Sequence, residues 1–508
     1  MQCIVFTNSV HLAAKYRTSQ QDAIALLQKN LLSQQIVEFL LLDVADYQDE
    51  YGPKPTWQEH KAILADFMAG MGIQPSSKLS VFIIGGDDVI PMPRIENPIH
   101  EEEQLHADLL YCFAGNEIVK LDARTAQCNI GRLPLESGSL PSTLTDDLQS
   151  YFNLSNMMLA TGIEVNKVIM TSAESFLPAG NDMVRGLPGD ELPNIPDTTC
   201  GNVFKSPRLA IDNEYVYKHY RKEISQADML MFNLHGSNVR GYPSFYGEGL
   251  TGHNTPEAFS CEMLKYSGAR IFNTVACYGG RYIGYSRKDS MLMSALYGGG
   301  VVLYAGSCSS ALGRSARANN VAQDILTPSG FSESFMKLYS LYLFGGITAG
   351  EAFLYAKCGY FNQCRSIDGD EGALATVLMF NLFGMPVLNV NPNNNVIQEA
   401  RGYKEVQDIS IHKKTAKVLY NNQESSSILS EVRMLVDRNI QKIRSTIQSK
   451  LYSYWGLNPA DLNTIVELSD GCEKTLRFEY KKDNDIIDTR SWAYADYLGN
   501  IKDVVHFK

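Results

Sequence analysis

A chain of 508 residues is longer than one hydrophobic core ordinarily serves, and at roughly 100–200 residues per domain it is expected to hold several packed units. With 44% hydrophobic and 20% charged residues it has the composition of a soluble globular protein, not of a disordered or fibrous one. A net charge of −11 and a pI near 5.4 speak against nucleic acid as the main partner, because phosphate backbones are bound through clustered Lys and Arg.

The chain opens with QCIVFT, a helical stretch AAKYRTSQQDAIALLQKNLL, then VEFLLLDV, a second helical stretch WQEHKAILADFMAGMG, and LSVFIIGG. Strand, helix, strand, helix, strand in that order builds a parallel sheet with helices on its faces, so a Rossmann-like subdomain is expected over 1–158. The absence of GxGxxG after the first strand argues against a dinucleotide site. Residues 86–135 read as a turn-rich continuation ending in a strand near Cys128–Gly131, and a helix from about Leu140 to Met158 leads onward. The pattern restarts with NKVIMTSAES, the helical YVYKHYRKEISQ, DMLMFNLHGS, a stretch read as helical, TPEAFSCEMLKYSG, then RIFNTVACYGG, SMLMSALYGG and VVLYAGSCSS. A helix near 331–358 and ATVLMFNLFGMPVL complete a second α/β unit over 159–398. Residues 399–508 change character: a polar helical stretch around Ile428–Tyr452 precedes TLRFEYKK, DTRSWAYADYL and VVHFK, whose partial alternation predicts an antiparallel meander in a small α+β unit.

The ten cysteines are scattered, with no CxxC pair and no dense framework, so neither a zinc site nor a disulfide scaffold is expected. MQCIVFTNSV lacks a basic n-region and a long apolar h-region, and no run of 18 apolar residues appears. These features predict a cytoplasmic protein with reduced thiols, no membrane partner, no metal and no required cofactor.

Two strand ends carry candidate chemistry. DMLMFN ends in Leu234-His235-Gly236-Ser237, and RIFNTV ends in Ala276-Cys277-Tyr278-Gly279-Gly280. In a parallel sheet, reactive residues at the carboxyl ends of strands line the ligand crevice. The 42 positions between His235 and Cys277 leave room for one crossover and the next strand, so adjacent strands would bring the two together. A thiol nucleophile and an imidazole that moves its proton suit acyl transfer. Gly236 and the Cys277 amide would offer backbone donors to an oxyanion, and Gly279 and Gly280 would let the chain turn away from the thiol. The ordinary alternative is a small buried thiol in an apolar strand and a packed histidine.

The HGS and ACYGG strand ends, followed by SALYGGGVVLYAGSCSS, resemble the histidine block, cysteine block and following strand of clan-CD cysteine peptidases, the group that holds caspases, clostripain, separase and gingipains. VFIIGGDDVIP, then Asp108-Leu109-Leu110-Tyr111, then Ile130-Gly131-Arg132-Leu133-Pro134, and FNLFGMPVLNV resemble the ordered motifs of the gingipain family, although Met385 stands where that family commonly has Asp. Over roughly residues 1–395 the resemblance implies a Rossmann-like subdomain packed on a caspase-like one. It implies Cys277 and His235 as a catalytic dyad, and a substrate held as an extra strand along Val302–Ser310, with Ser307 and Ser309 in contact with it.

The resemblance also implies a narrow pocket for the residue preceding the scissile bond, which many members fill with a charged side chain. Glu174 and Asp182, which follow KVIMTS, are the candidates there, and an acid would favour Arg or Lys; either one singly reads more readily as an exposed loop carboxylate. Arg314 and Arg317 offer a self-cleavage site. The acidic clusters Asp87-Asp88, Glu101–Glu103 and Asp368–Glu371 could take Ca²⁺ but match no EF-hand loop and read more simply as solvated turns. The leading expectation is therefore an endopeptidase acting on protein substrates, open to a regulatory protein through the C-terminal unit. The alternative is a catalytically silent caspase-like scaffold.

Overall fold

A computed structural model describes residues 1–391 except 32–35, 116–120, 136–142, 190–191, 193–198, 201–202, 207–213, 240–242, 250–254, 314–329 and 369. Beyond 391 it describes 415–421, 447–449, 457, 461–469, 474–481, 491–495 and 501–507. Arg314, Arg317 and most of the helical stretch expected around Ile428–Tyr452 lie outside the described residues.

The first half supplies β1 (Gln2–Thr7), β2 (Glu38–Asp43), β3 (Ser80–Ile84), the hairpin β4 (Arg94–Asn97) and β5 (His100–His106), and β6 (Asn129–Leu133). The second supplies β7 (Val168–Ala173), β8 (Thr199–Cys200), β9 (Val203–Ser206), β10 (Met229–Asn233), β11 (Ser244–Tyr246), β12 (Glu257–Ser260), β13 (Ile271–Thr274), β14 (Leu303–Ser307), β15 (Leu312–Gly313) and β16 (Phe380–Gly384). The remainder holds β17 (Thr415–Asn421), β18 (Leu462–Ser469), β19 (Lys474–Tyr480), β20 (Ser491–Ala495) and β21 (Ile501–Phe507).

One sheet runs through both α/β halves in the order β2-β1-β3-β6-β16-β14-β13-β10-β7-β9-β8. Its pairs are parallel except β14 with β16 and β8 with β9. β16 is the joint: it runs parallel to β6 of the first half and antiparallel to β14 of the second. β3, β10 and β14 are buried along their whole length, which is why they read as continuous apolar runs instead of alternating ones. The helices begin where local chemistry satisfies their first amides. Trp57–Gly70 starts with a Thr56/Glu59 capping box and Leu144–Thr161 with a Thr143/Asp146 box.

TPEAFSCEMLKYSG does not form the expected helix. Glu257–Ser260 pairs as β12 with β11, and only Cys261–Tyr266 turns, as a short 3₁₀ segment. The reason lies in the aromatic packing above the sheet. Phe245 of β11 and Phe259 of β12 sit against Phe232, with ring centroids 5.5 and 4.5 Å away, and Phe232 stacks on Phe272, which stacks on Tyr304 at 4.7 Å. Burying two aromatics outweighs the helical preference of a short segment by several kcal/mol at about 1.5–3 kcal/mol per large apolar side chain.

β17 to β21 form an antiparallel meander, as the alternation of TLRFEYKK and its neighbours suggests. What the alternation does not reveal is a sixth strand: β15, from the α/β unit, pairs with β21.

Candidate active site

His235 and Cys277 stand just past the carboxyl ends of neighbouring parallel strands. β10 and β13 pair with a constant offset of 42, from Met229 with Ile271 to Phe232 with Thr274, and Cys277 follows His235 by the same 42 positions. The Val275 amide extends the ladder by donating to Phe232 O at 3.0 Å. Beyond it the two backbones still touch: a Cβ placed on Gly236 would lie 1.7 Å from the carbonyl oxygen of Cys277. Glycine is required at 236 by that approach.

The imidazole is held from several sides. His235 exchanges both backbone hydrogen bonds with Tyr246, at 2.9 Å each, so β11 folds back directly onto it. The Phe176 ring meets the imidazole edge-on with centroids 5.2 Å apart. Nε2 lies 3.2 Å from Glu248 Oε2, which also accepts the Ser175 hydroxyl at 2.9 Å. With Glu248 ionised, and so able only to accept, Nε2 carries the proton and Nδ1 is the basic nitrogen. Glu248 reaches this place because Gly247 has no side chain: a Cβ there would collide with Ser206 Oγ at 1.6 Å.

Cys277 is set by the turn that follows it. Ala276 donates to Thr274 Oγ1 at 3.1 Å, and Tyr278 adopts a left-handed conformation with φ 56°, an uncommon state for a residue with a bulky side chain. Tyr278 N–H donates to Ser309 O at 2.9 Å and Gly280 N–H to Ser307 O at 2.7 Å, while the Tyr304 hydroxyl donates to Gly279 O. The aromatic stack on the sheet thus buttresses the turn. The thiol itself receives the Ala311 amide, with N to Sγ 3.1 Å, and lies 3.7 Å from Ala311 O. Cys277 is 0%, His235 3% and Glu248 7% exposed, so the group is closed to solvent.

Of the other thiols, burial pushes Cys308 and Cys261 up to about 12, which keeps both protonated at neutral pH and unsuited to attack.

No family model matches the chain, and no curated protein matches it. Among solved structures, one named "Structure of Protease" is similar to it with a TM-score of 0.46 and 12% identity, the match covering 100% of this chain and 91% of that one.

The remaining candidates fall in different places. Glu174 is partly exposed just past β7, beside Ser175 and Phe176, which contact Glu248 and His235. Asp182 is buried and its carboxylate takes Lys337 Nζ at 3.1 Å, with Arg185 at 3.6 Å. Ser307 and Ser309 bond each other, Ser307 Oγ donating to Ser309 O at 2.8 Å, and both are buried. β14 has β13 on one edge over Leu303–Ala305 and β16 on the other, so over 303–305 there is no edge for the added strand expected along Val302–Ser310. Both ladder faces of its backbone are already taken.

Glu248 and Ser175 were missed in the sequence; the available signal was a carboxylate between two glycines in the loop after His235. Glu103, in a cluster that reads from sequence as a solvated turn, accepts the Ser310 amide at 3.1 Å, which brings the β4–β5 hairpin to the site. Asp87 and Asp88 pair with Arg94 and Lys15. Among the described residues, no cluster of three His, Cys, Asp or Glu is arranged to hold a metal ion, and no helix is long and apolar enough to cross a membrane.

The motifs of the first half converge on a buried clamp. Arg132 forks onto Asp108, with Nε to Oδ2 2.8 Å and Nη2 to Oδ1 2.7 Å, and its Nη1 donates to Ile90 O at 2.7 Å and Gly85 O at 3.2 Å. Tyr111 donates to Pro91 O at 2.8 Å. Asn381 then links the clamp to the site, accepting the Asp108 amide at 3.0 Å and reaching Cys308 Sγ at 3.5 Å.

Proposed function

We propose that the chain is a cysteine endopeptidase in which Cys277 is the nucleophile, His235 moves the proton and Glu248 orients His235. The observation that carries this reading is the meeting of the His235–Gly236 and Cys277 strand ends, with a carboxylate on Nε2 of the imidazole. His235 Nδ1 takes the thiol proton, and Sγ attacks the carbonyl carbon of the scissile peptide bond. The tetrahedral oxyanion is met by the Gly236 and Cys277 amides. His235 returns the proton to the departing amine as the C–N bond breaks, leaving a thioester. Water, giving a proton to His235, hydrolyses the thioester and restores the thiol.

Glu174 is taken as the carboxylate that receives a cationic side chain; that of Asp182 is committed to Lys337. Arg or Lys before the scissile bond is the preference this supports. The protein substrate, the absence of a required cofactor, cytoplasmic location and regulation through the C-terminal unit belong to the same reading.

A second reading, a silent caspase-like scaffold, is favoured by one observation: the thiol is fully buried. Fluorogenic peptides carrying Arg, Lys, Asp, Asn or Leu before the reporter separate the two. Turnover by the native chain that disappears in Cys277→Ala supports the enzyme. Turnover that persists in the variant removes Cys277 as nucleophile.

A further inference from the structure

We infer that the C-terminal sheet is a built-in latch: β21 occupies the backbone edge next to Cys277 that a peptide would use, and its departure opens the thiol. The idea rests on the peptidase reading for the identity of the displaced ligand, and on backbone geometry for the latch itself.

The segment after β14 is fastened to two different bodies. Up to Ser310 it belongs to the main sheet: Cys308 N–H donates to Met379 O at 3.0 Å, Ser309 O accepts from Tyr278, and the Ser310 amide is held by Glu103. From Leu312 it belongs to the C-terminal sheet, where Leu312 faces Phe507 and Gly313 faces His506 in an antiparallel ladder. Ala311 is the residue between, and its amide is the group that sits on Sγ at 3.1 Å. Loss of the β21 pairing therefore frees the segment whose Ala311 covers the nucleophile.

The same ladder explains how a substrate would bind. β14 offers no edge over 303–305, whereas Leu312–Gly313 is extended backbone directly after the residue whose amide sits on the thiol, and it already accepts an antiparallel strand. A peptide laid there would make the bonds that β21 makes now, the general mode of strand addition to a sheet edge. β21 is thus an internal competitor, present at the high effective concentration of a tethered ligand. Loss of two paired residues is a small barrier compared with unfolding of the central sheet, so opening is a local event.

The test uses the full chain and two readouts: iodoacetamide alkylation of Cys277, followed on its own proteolytic peptide, and peptide turnover. His506→Pro removes a backbone N–H and stiffens β21 without touching the site. Alkylation of Cys277 at least roughly tenfold faster than in the native chain is expected. Gly313→Cys with His506→Cys places a disulfide across the facing pair; oxidised, it should hold Cys277 unreactive, and reduction with a phosphine should restore native reactivity. This pair decides the question if His506→Pro does not fold. Equal alkylation in the native, locked and released proteins overturns the latch. Faster alkylation on release with no turnover in any form keeps the latch and removes the peptidase reading. Turnover that is identical in locked and released forms keeps the peptidase and removes the latch.

Discussion

Glu248 Oε2 lies 3.2 Å from His235 Nε2, on a loop that begins where Tyr246 closes a two-way backbone bridge with His235 itself. The residue that orients the imidazole and the residue that fixes its backbone are thus two positions apart, so ring orientation and strand geometry are coupled. Replacing Glu248 by Gln keeps an acceptor but removes the charge, which lowers the imidazole pKa. Turnover should fall by roughly 10²–10⁴-fold, in kcat more than KM, and the acid limb of the pH–rate profile should move to lower pH. An unshifted limb would assign Glu248 to packing only.

Gly236 and Gly298 make a matched pair of glycine probes. A methyl on Gly236 meets the Cys277 carbonyl at 1.7 Å, whereas on Gly298 it meets nothing within 4 Å. Gly236→Ala should destabilise by about 1–3 kcal/mol and abolish turnover, because the two strand ends must separate. Gly298→Ala, at the end of a helix, should be neutral or stabilising by up to about 1 kcal/mol. Urea midpoints of both variants check the contrast.

The Arg132–Asp108 fork has side chains 0% and 4% exposed. Removing one partner leaves an uncompensated buried charge, so Asp108→Asn or Arg132→Met should cost about 3–5 kcal/mol in denaturant unfolding. Arg132→Lys should restore little of it, since an ammonium cannot hold both carboxylate oxygens and the loop carbonyls in one plane.

Burial lowers the pKa of His60 and of His106 below the ordinary histidine value near 6.5. Below that pH the unfolded chain binds protons that the folded chain refuses, so stability is full above about 6.5 and falls on acidification. The urea midpoint should drop between pH 7.5 and 5.5, and His60→Gln should flatten the decline. A decline of the same slope in the variant would place its origin in other groups.

The strand ends that hold His235 and Cys277 were legible because parallel buried strands are unbroken apolar runs, and the polar residues that interrupt them mark the crevice. The clamp was legible only as spaced motifs, since nothing in Asp108 or Arg132 alone says that the two are partners. TPEAFSCEMLKYSG reads as a helix because its pairing partner, Ser244–Tyr246, and the aromatic rings it covers lie outside its own stretch of sequence.

By itself the sequence determined the α/β class and the two strand ends, both of which follow from hydrophobic periodicity within a short window of chain. Tertiary structure alone decided that Glu248 stands behind His235, that Ala311 covers Cys277 and that β15 is shared with the C-terminal sheet. Those are contacts between backbone groups or single polar atoms far apart in the chain, and such groups carry no pattern from which a partner can be read.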